Sequence, residues 1–289
     1  MHNSCCTIPK IEVSNVIDLT TAELAERLSL TVFIGESIPD IIELIEDYRE
    51  GVLSGYYNTK NLPILWYDSY YSNFMGEAVT AQGIAGTPSA SQLVTLEGYN
   101  KNLSEFSSAK LYQQQLALDK IPKEATAEEF NQLFNSIVNQ NSVNWTNTES
   151  TTIFMNSNSN ALWKDIVESR DSLPYLQYIT AEDERVRPTH ASMNGIIKAV
   201  KDPFWATHNP ANGYNCRCTV VQLARKDSAI IPEVEYNPEE AYPDKGFGVN
   251  WGNVDYVISK DHSYFDVAKG DAKLKANNFN LPPKKLGDE

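Results

Sequence analysis

The sequence predicts an α+β protein with a mostly helical N-terminal half, a small α+β domain with a short β-sheet, and an extended C-terminal tail. Apolar residues recur at helical spacing in the first half, short β-rich runs follow, and proline and glycine punctuate the last part. We therefore expect a mainly helical domain over 1–165, a small domain over 166–225 and an extended segment over 226–289.

Capping pairs mark two helix starts in the first half. Thr20 with Glu23, and Thr126 with Glu129, have the spacing at which a hydroxyl and a carboxylate satisfy the free N–H groups of a helix start. The helix after Thr126 carries an apolar stripe at helical spacing, formed by Phe130, Leu133, Phe134, Ile137 and Val138. This stripe must pack on another element, so we expect a helical core.

Two further helices are predicted from a hydroxyl residue that precedes a proline. Ser37 is expected to open a helix that ends at Gly51. Thr87 is expected to open a helix through 93–118, which Gly98 can interrupt.

Two other segments of this half are harder to interpret. Aromatic residues are dense over 57–82, which indicates a buried core or, as the alternative, a subunit contact. The polar stretch over 139–160 is interrupted by large apolar residues, and we interpret it as a helix with a polar face.

Strand signals appear after residue 172. The runs over 176–180 and 219–223 are predicted strands, and Pro188 is expected to start a short helix that Gly195 can end. The lysine-rich end of the chain is expected to be a frayed, solvated tail that can dock a neighbour.

The charge distribution argues against a general nucleic-acid surface. The net charge is −14, and residues 1–150 carry 19 acids and 8 Lys or Arg. A DNA-binding surface would need a basic stripe that displaces counterions, and the basic residues cluster only near the C-terminal end. We expect packed DNA to be at most a neighbour.

The N-terminal segment has neither the basic start nor the apolar run of a signal peptide, and no stretch approaches a membrane span. We therefore expect a soluble protein made in the cytoplasm, with residues 1–20 as an arm or edge strand. The four cysteines form two close pairs, Cys5/Cys6 and Cys216/Cys218. In a reducing compartment such pairs are more typical of free thiols or metal ligands than of disulfides.

The second pair suggests a metal site. On an extended strand, Cys216 and Cys218 would point to one side, and His190 and His208 precede them within 30 residues. Two thiolates and two imidazoles form a tetrahedral zinc set, in which Asp183 is an alternative fourth ligand. The other interpretation is two small buried cysteines and two hydrogen-bonded histidines.

Catalysis is not expected. A thiolate activated by His190 and flanked by Arg217 could in principle be a nucleophile. However, the sequence contains no H-E-x-x-H helix, phosphate-binding glycine loop or G-x-S-x-G elbow. Arg185 and Arg187 alternate with acids, which favours ion pairs within the fold over phosphate binding.

The stretch over 175–223 resembles the phage Mu F-like minor head proteins, also described as head morphogenesis proteins. That family's pattern runs D-x-R-V-R-P-x-H, then N-G, then D-P-F-W, then N-G-W-N-C-R-C. Here the elements stand as Asp183, Arg185 to Pro188, His190, Asn194 and Gly195, Asp202 to Trp205, and Asn212 to Cys218. Tyr214 replaces the family's tryptophan.

The resemblance implies a minor capsid protein of a tailed bacteriophage, carried in few copies in the virion head and assembled in the bacterial host cytoplasm. Its implied partners are the portal protein and the major capsid or scaffold protein, and residues 1–165 would be an assembly domain. The resemblance also implies metal binding through His190, Cys216 and Cys218. The alternatives are a zinc-binding nucleic-acid-binding protein and a delivered toxin or effector that carries a phage-head domain.

Overall fold

The computed structural model describes residues 19–84, 87–229 and 234–287. Its α-helices are α1 (Thr21–Ser29), α2 (Ile38–Ser54), α3 (Ile64–Ala81), α4 (Ala90–Leu118), α5 (Ala127–Val138), α6 (Thr146–Ser169), α7 (Pro188–Ala191), α8 (Trp205–His208), α9 (Arg225–Ser228) and α10 (Ala272–Ala276). Its strands are β1 (Tyr175–Ile179), β2 (Ile197–Ala199) and β3 (Thr219–Leu223). The predicted α+β class is confirmed. None of the helices in the described ranges combines the length and the hydropathy needed to cross a bilayer.

Both predicted capping pairs are confirmed. The Glu23 backbone N–H donates to the Thr20 hydroxyl (3.2 Å), and the Thr20 N–H donates to the Glu23 carboxylate (2.9 Å). Thr126 and Glu129 repeat this exchange at 3.2 and 2.8 Å. The predicted arm over 1–20 and the pair Cys5/Cys6 lie outside the described residues, apart from the last two positions of the arm.

Two helix limits differ from the sequence prediction. Helix α2 passes through Gly51 and ends at Ser54, because Gly55 adopts a left-handed conformation (φ 75°) that terminates it. Gly51 instead makes room for the ring of Tyr57, since a Cβ there would lie 2.0 Å from that ring. Helix α4 starts at Ala90 rather than beside Thr87, because Ser89 supplies the capping hydroxyl.

Gly98 does not interrupt α4, which is continuous over Ala90–Leu118. The helix over the polar stretch is also confirmed, although its first part differs. Asn139–Trp145 is a π-helix, in which the backbone bonds reach one residue further than in an α-helix, and it leads directly into α6.

The described residues form two compact units that interleave along the chain. Unit 1 contains 19–75, 100–148 and 261–287, and unit 2 contains 76–99 and 149–260. The three consecutive parts predicted from the sequence remain a prediction. Three of the four divisions between the units fall inside the long helices α3, α4 and α6, and the fourth lies at 260/261.

Unit 1 has an aromatic core. The ring of Tyr48 lies 5.0 Å from that of Trp66 and 5.6 Å from that of Phe134. The predicted core burial of the aromatic-rich segment holds for Trp66, Tyr67, Tyr70, Tyr71 and Phe74, whereas Tyr56 is 65% exposed. Packing of apolar and aromatic faces therefore holds this helical unit together.

The C-terminal segment is not a frayed tail. Phe279 and Leu281 are buried, and the Phe279 ring lies 4.6 Å from that of Tyr112. The Lys284 ammonium pairs with Asp68 at 2.8 Å. The expectation failed because two apolar residues within a polar, lysine-rich run are enough to anchor it in unit 1.

Unit 2 is built around the three-stranded antiparallel sheet, in the order β2-β1-β3. Gln177 in the central strand lies opposite Ile197 on one side and Val221 on the other. The two predicted strands are confirmed within one residue, and β2, with three residues, was not predicted. The core of this unit includes Leu176, Tyr178, Met193, Ile196, Trp205, Cys216 and Cys218.

Candidate metal centre

Hydrogen bonds to the end of β1 hold the segment that carries His190. The Thr180 N–H donates to the Asn194 side chain (2.9 Å), and the Gly195 N–H donates to the Tyr178 carbonyl (2.8 Å). Gly195 has a φ of 84°, a conformation that glycine adopts without strain. The short helix α7 lies in the segment that these two hydrogen bonds hold against β1, and its His190 is 1% exposed.

The two cysteines enter the same core from the segment that precedes β3. A turn closed by the Cys216 N–H and the Gly213 carbonyl (3.2 Å) leads into them. Cys216 and Cys218 are buried, whereas Arg217 between them points outward and holds both oxygens of Asp183 at 2.6 and 2.7 Å. The predicted alternation of faces is confirmed, although β3 itself begins only at Thr219.

The imidazole and the two thiols meet in one buried cluster. The Nδ1 atom of His190 lies 3.7 Å from the Cys216 sulfur and 3.9 Å from the Cys218 sulfur. All three potential ligand atoms lie within 4.8 Å of one another. A tetrahedral zinc with Zn–S of about 2.3 Å and Zn–N of about 2.0 Å separates its ligand atoms by about 3.5–3.8 Å. The observed distances are close to that requirement.

Electrostatics prepare one of the thiols for metal binding. Hydrogen bonding with Cys218, and then with His190, lowers the pKa of Cys216 to about 4 against the opposing effect of burial. The same pairing with Cys216, together with burial, raises the pKa of Cys218 well above the ordinary range of a thiol. Cys216 is therefore the more readily deprotonated thiol of the pair, and the thiolate is the form that binds metals.

The structure does not bring the predicted fourth ligands to this cluster. The Nδ1 atom of His208 lies 3.1 Å from the Phe204 carbonyl and 2.8 Å from the Thr207 hydroxyl, and its Nε2 lies 3.1 Å from the Tyr236 hydroxyl. Its ring stacks on that of Phe204 at 4.3 Å. His208 is therefore used in packing.

The alternative fourth ligand, Asp183, is engaged elsewhere. The Arg217 guanidinium holds the pKa of Asp183 at about 2, and this carboxylate lies on the exposed side of the segment. The sequence also predicted an ion pair within the fold for Arg187. This ion pair is present, because the Nε atom of Arg187 lies 2.9 Å from Asp244.

Asp244 is a neighbour of the site that sequence reasoning missed. Its Oδ1 lies 3.8 Å from the Nε2 atom of His190, on the side of the ring away from the thiols. It stands 26 residues beyond Cys218 in a loop rich in proline and glycine, where spacing predicts no partner. No motif in the sequence indicated it.

The donors present fit a structural metal ion. Two sulfurs and one imidazole nitrogen are ligands that zinc prefers in closed structural sites. Nδ1 of His190 faces the sulfurs and is the ring nitrogen placed to bind a metal, whereas Nε2 is buried and has no hydrogen-bond partner. The cluster therefore offers three buried donors at a spacing that suits a metal ion.

Sequence comparison finds relatives that match the region containing this cluster. Residues 104–221 match the family described as "Phage Mu protein F like protein". The "Putative capsid assembly protein F" of Escherichia phage Mu is 40% identical over 62 residues, which are 22% of this chain and 14% of that relative. The "Mu-like prophage FluMu F protein" of Haemophilus influenzae is 38% identical over 58 residues, 20% of this chain and 14% of that relative.

The chain therefore contains a region similar to the phage Mu F-like proteins, one of which is named as a putative capsid assembly protein. In particular, the region over 104–221 is Mu F-like, and the resemblance drawn from the motifs is confirmed. The matched part spans about 14% of the length of either relative. No solved structure matches this chain.

Proposed function

We propose that this chain is a minor capsid protein that acts in head morphogenesis of a tailed bacteriophage and is carried in the virion. The observation that carries the proposal is that the matched region contains the whole buried cluster of His190, Cys216 and Cys218. The motif residues that are far apart in the sequence therefore lie together in one folded centre. The phage Mu relative is named as a putative capsid assembly protein, which supports the same role.

The proposed role of the centre is structural, not catalytic. His190, Cys216 and Cys218 would hold a zinc ion that ties α7 to the segment before β3. When bound, zinc contributes coordination energy that exists only in the folded state. The three residues themselves supply a preformed, buried donor set. Within the described residues the cluster offers three ligands, and a closed structural zinc site needs a fourth protein donor in addition to them.

The proposed partners are the portal protein and the major capsid or scaffold protein. Unit 1 supports this because it exposes several large apolar or aromatic side chains, among them Leu30 (79%), Ile34 (68%), Leu53 (60%) and Tyr56 (65%). Exposed apolar and aromatic side chains are favoured at protein interfaces. Protein partners therefore suit this unit better than DNA does.

Packaged DNA is proposed as a neighbour and not as a ligand. The net charge of −14 opposes binding to phosphates. Tail lysines also make contacts inside unit 1, where Lys284 pairs with Asp68 and the Lys275 ammonium donates to the Phe265 carbonyl. A DNA titration at low salt should show no binding by the full chain, and salt-sensitive binding would instead support a nucleic-acid-binding protein.

Quantitative mass spectrometry of purified heads tests the main proposal. The chain should co-sediment with the major capsid protein at a constant, low ratio through a density gradient, unlike proteins of the host cytoplasm. Heads assembled without the portal protein should lack the chain if the portal recruits it. Absence from complete heads, or a ratio that follows cytoplasmic contaminants, would contradict a virion role.

A further inference from the structure

The two nitrogens of the His190 ring face different chemical groups. Nδ1 faces the two sulfurs at 3.7 and 3.9 Å, whereas Nε2 faces Oδ1 of Asp244 at 3.8 Å. An imidazole that binds a metal through one nitrogen keeps its proton on the other nitrogen, and that N–H usually donates to a carboxylate or carbonyl. The ring of His190 has a carboxylate on the required side.

Residues of the matched region hold Asp244 in this place. The Arg187 guanidinium binds Oδ2 of Asp244 at 2.9 Å and also donates to the Tyr214 carbonyl at 2.7 Å. The Asp244 backbone N–H donates to the Asn212 carbonyl at 2.8 Å. Asp244 is therefore bound through both its side chain and its backbone.

Gly213 makes the close approach of Asp244 sterically feasible. A Cβ at this position would lie 2.3 Å from Oδ2 of Asp244, far inside the contact distance of real atoms. Gly213 has no side chain, so the carboxylate can sit directly against the backbone. This gives a physical reason for the glycine in the N-G-Y-N-C-R-C segment, and the ion pair with Asp244 gives one for Arg187, which directly precedes Pro188.

We propose that Asp244 is a positioning residue for the metal centre. Its carboxylate accepts a hydrogen bond from the Nε2–H of His190, which leaves Nδ1 free to bind the metal. This inference rests on the zinc centre proposed above. The separation of 3.8 Å is about 1 Å longer than a formed hydrogen bond. The Asp244 side chain is 32% exposed, and the proposal requires it to close that gap when a metal fixes the ring.

The proposal extends the functional site beyond the matched region. Asp244 lies 23 residues after residue 221, where the family match ends. Arg187 and Gly213 are not ligands themselves. They contribute to the centre because they hold Asp244 in position. The C-terminal loop is thus a part of the site and not only a covering segment.

Zinc affinity of the full chain, measured by competition with a chromophoric chelator, tests the proposal. Asp244→Asn keeps the shape of the side chain but removes its charge, and it should weaken zinc binding about 10–100-fold. The matched control is Asp183→Asn, which removes another arginine-paired carboxylate of unit 2 and should leave affinity within about twofold of wild type, since Asp183 lies outside the cluster.

A second measurement does not depend on any variant folding. In the zinc-loaded wild-type protein labelled with ¹⁵N-histidine, long-range ¹H–¹⁵N spectra should show His190 coordinated through Nδ1 and protonated at Nε2. Coordination through Nε2, or equal zinc affinity of wild type and Asp244→Asn, would overturn the role of Asp244 and leave the zinc centre standing. A wild-type chain that binds no zinc would overturn both.

Discussion

Units 1 and 2 each bury an imidazole, yet they surround it with different chemistry. In unit 1, Nδ1 of His262 accepts the Tyr264 backbone N–H, and its ring packs against those of Phe106 (5.0 Å) and Tyr264 (4.4 Å). In unit 2, the His190 ring faces two thiols on one side and a carboxylate on the other. The first environment suits a packed side chain, and the second suits a metal ligand.

The comparison teaches that burial alone does not identify a functional histidine. Burial lowers the pKa of His262 to about 3, helped by the nearby charge of Lys110, so this ring stays neutral and inert. His208, which stacks on Phe204, resembles His262 more than His190. What distinguishes His190 is the set of partners around both ring nitrogens.

Removing the thiols should have the largest effect on unit 2. Cys216→Ala or Cys218→Ala should abolish stoichiometric zinc, because each removes one of three ligands. Each tenfold excess of free zinc over the Kd stabilises the folded state by about 1.4 kcal/mol, so loss of a site saturated a thousandfold costs about 4 kcal/mol. Zinc content and urea unfolding with and without chelator measure both effects.

The chain offers a matched control for that experiment. Cys5→Ser combined with Cys6→Ser removes the other cysteine pair and should leave zinc content at one equivalent, because the cluster draws none of its three ligands from it. If this double variant loses zinc while Cys216→Ala retains it, the ligands have been assigned to the wrong pair.

Phe279→Ala should destabilise unit 1 by about 3 kcal/mol, because it empties a buried aromatic site against Tyr112. Leu286→Ala is the control in the same segment, and since Leu286 is 37% exposed its loss should cost less than about 0.5 kcal/mol. Denaturant unfolding of the two variants measures the difference. Equal, small effects would mean that the C-terminal segment is not anchored.

Acid should destabilise the protein through His262. Above pH 6.5 the ring is neutral in both the folded and the unfolded chain, so it contributes no pH dependence. As the pH falls from 6.5 towards 3, the unfolded chain binds a proton that the folded chain rejects, and stability drops by about 1.4 kcal/mol per pH unit.

His262→Asn tests that sign, because the amide oxygen can accept the Tyr264 N–H without titrating. The variant should be less stable than wild type at pH 7, yet between pH 6 and 4.5 it should lose stability less steeply. Urea unfolding at several pH values measures both slopes. The carboxylates titrate in both proteins, so the difference between the slopes reports on His262. Parallel slopes would contradict a buried, neutral His262.

Gly213→Ala should destabilise unit 2 by about 1–3 kcal/mol, no more than Phe279→Ala destabilises unit 1, because its Cβ would collide with Asp244. The control is Gly76→Ala in α3, where a Cβ meets nothing within 4 Å and should be neutral or stabilising. Thermal unfolding compares the two. If Gly213→Ala matches Gly76→Ala in both stability and zinc affinity, the close packing of Asp244 is not required.

Much of the site was predictable from local pattern. Alternation along an extended segment placed Cys216 and Cys218 on one face, and the motif that contains His190 supplied the imidazole. The fourth-ligand predictions were not met, because sequence proximity does not show where a side chain points after a turn. His208 is the last residue of the one-turn helix α8, and its ring stacks on that of Phe204 and is not part of the cluster.

The features that the sequence did not predict lack a periodic signal. Strand β2 has three residues, too few for an alternating pattern, and the π-helix over Asn139–Trp145 has the composition of any polar helix. Asp244 reaches the site through a long irregular loop, whose closure depends on tertiary contacts with Arg187 and Asn212. Helix starts were better predicted, because a capping pair such as Thr126 and Glu129 acts through neighbouring residues.

X-ray absorption at the zinc edge of the zinc-loaded full chain tests the central claim most directly. The account predicts one zinc per chain with two sulfur neighbours at about 2.3 Å and an imidazole nitrogen at about 2.0 Å. A first shell of oxygen and nitrogen without sulfur, or no zinc retained at one equivalent, would contradict a centre built from His190, Cys216 and Cys218.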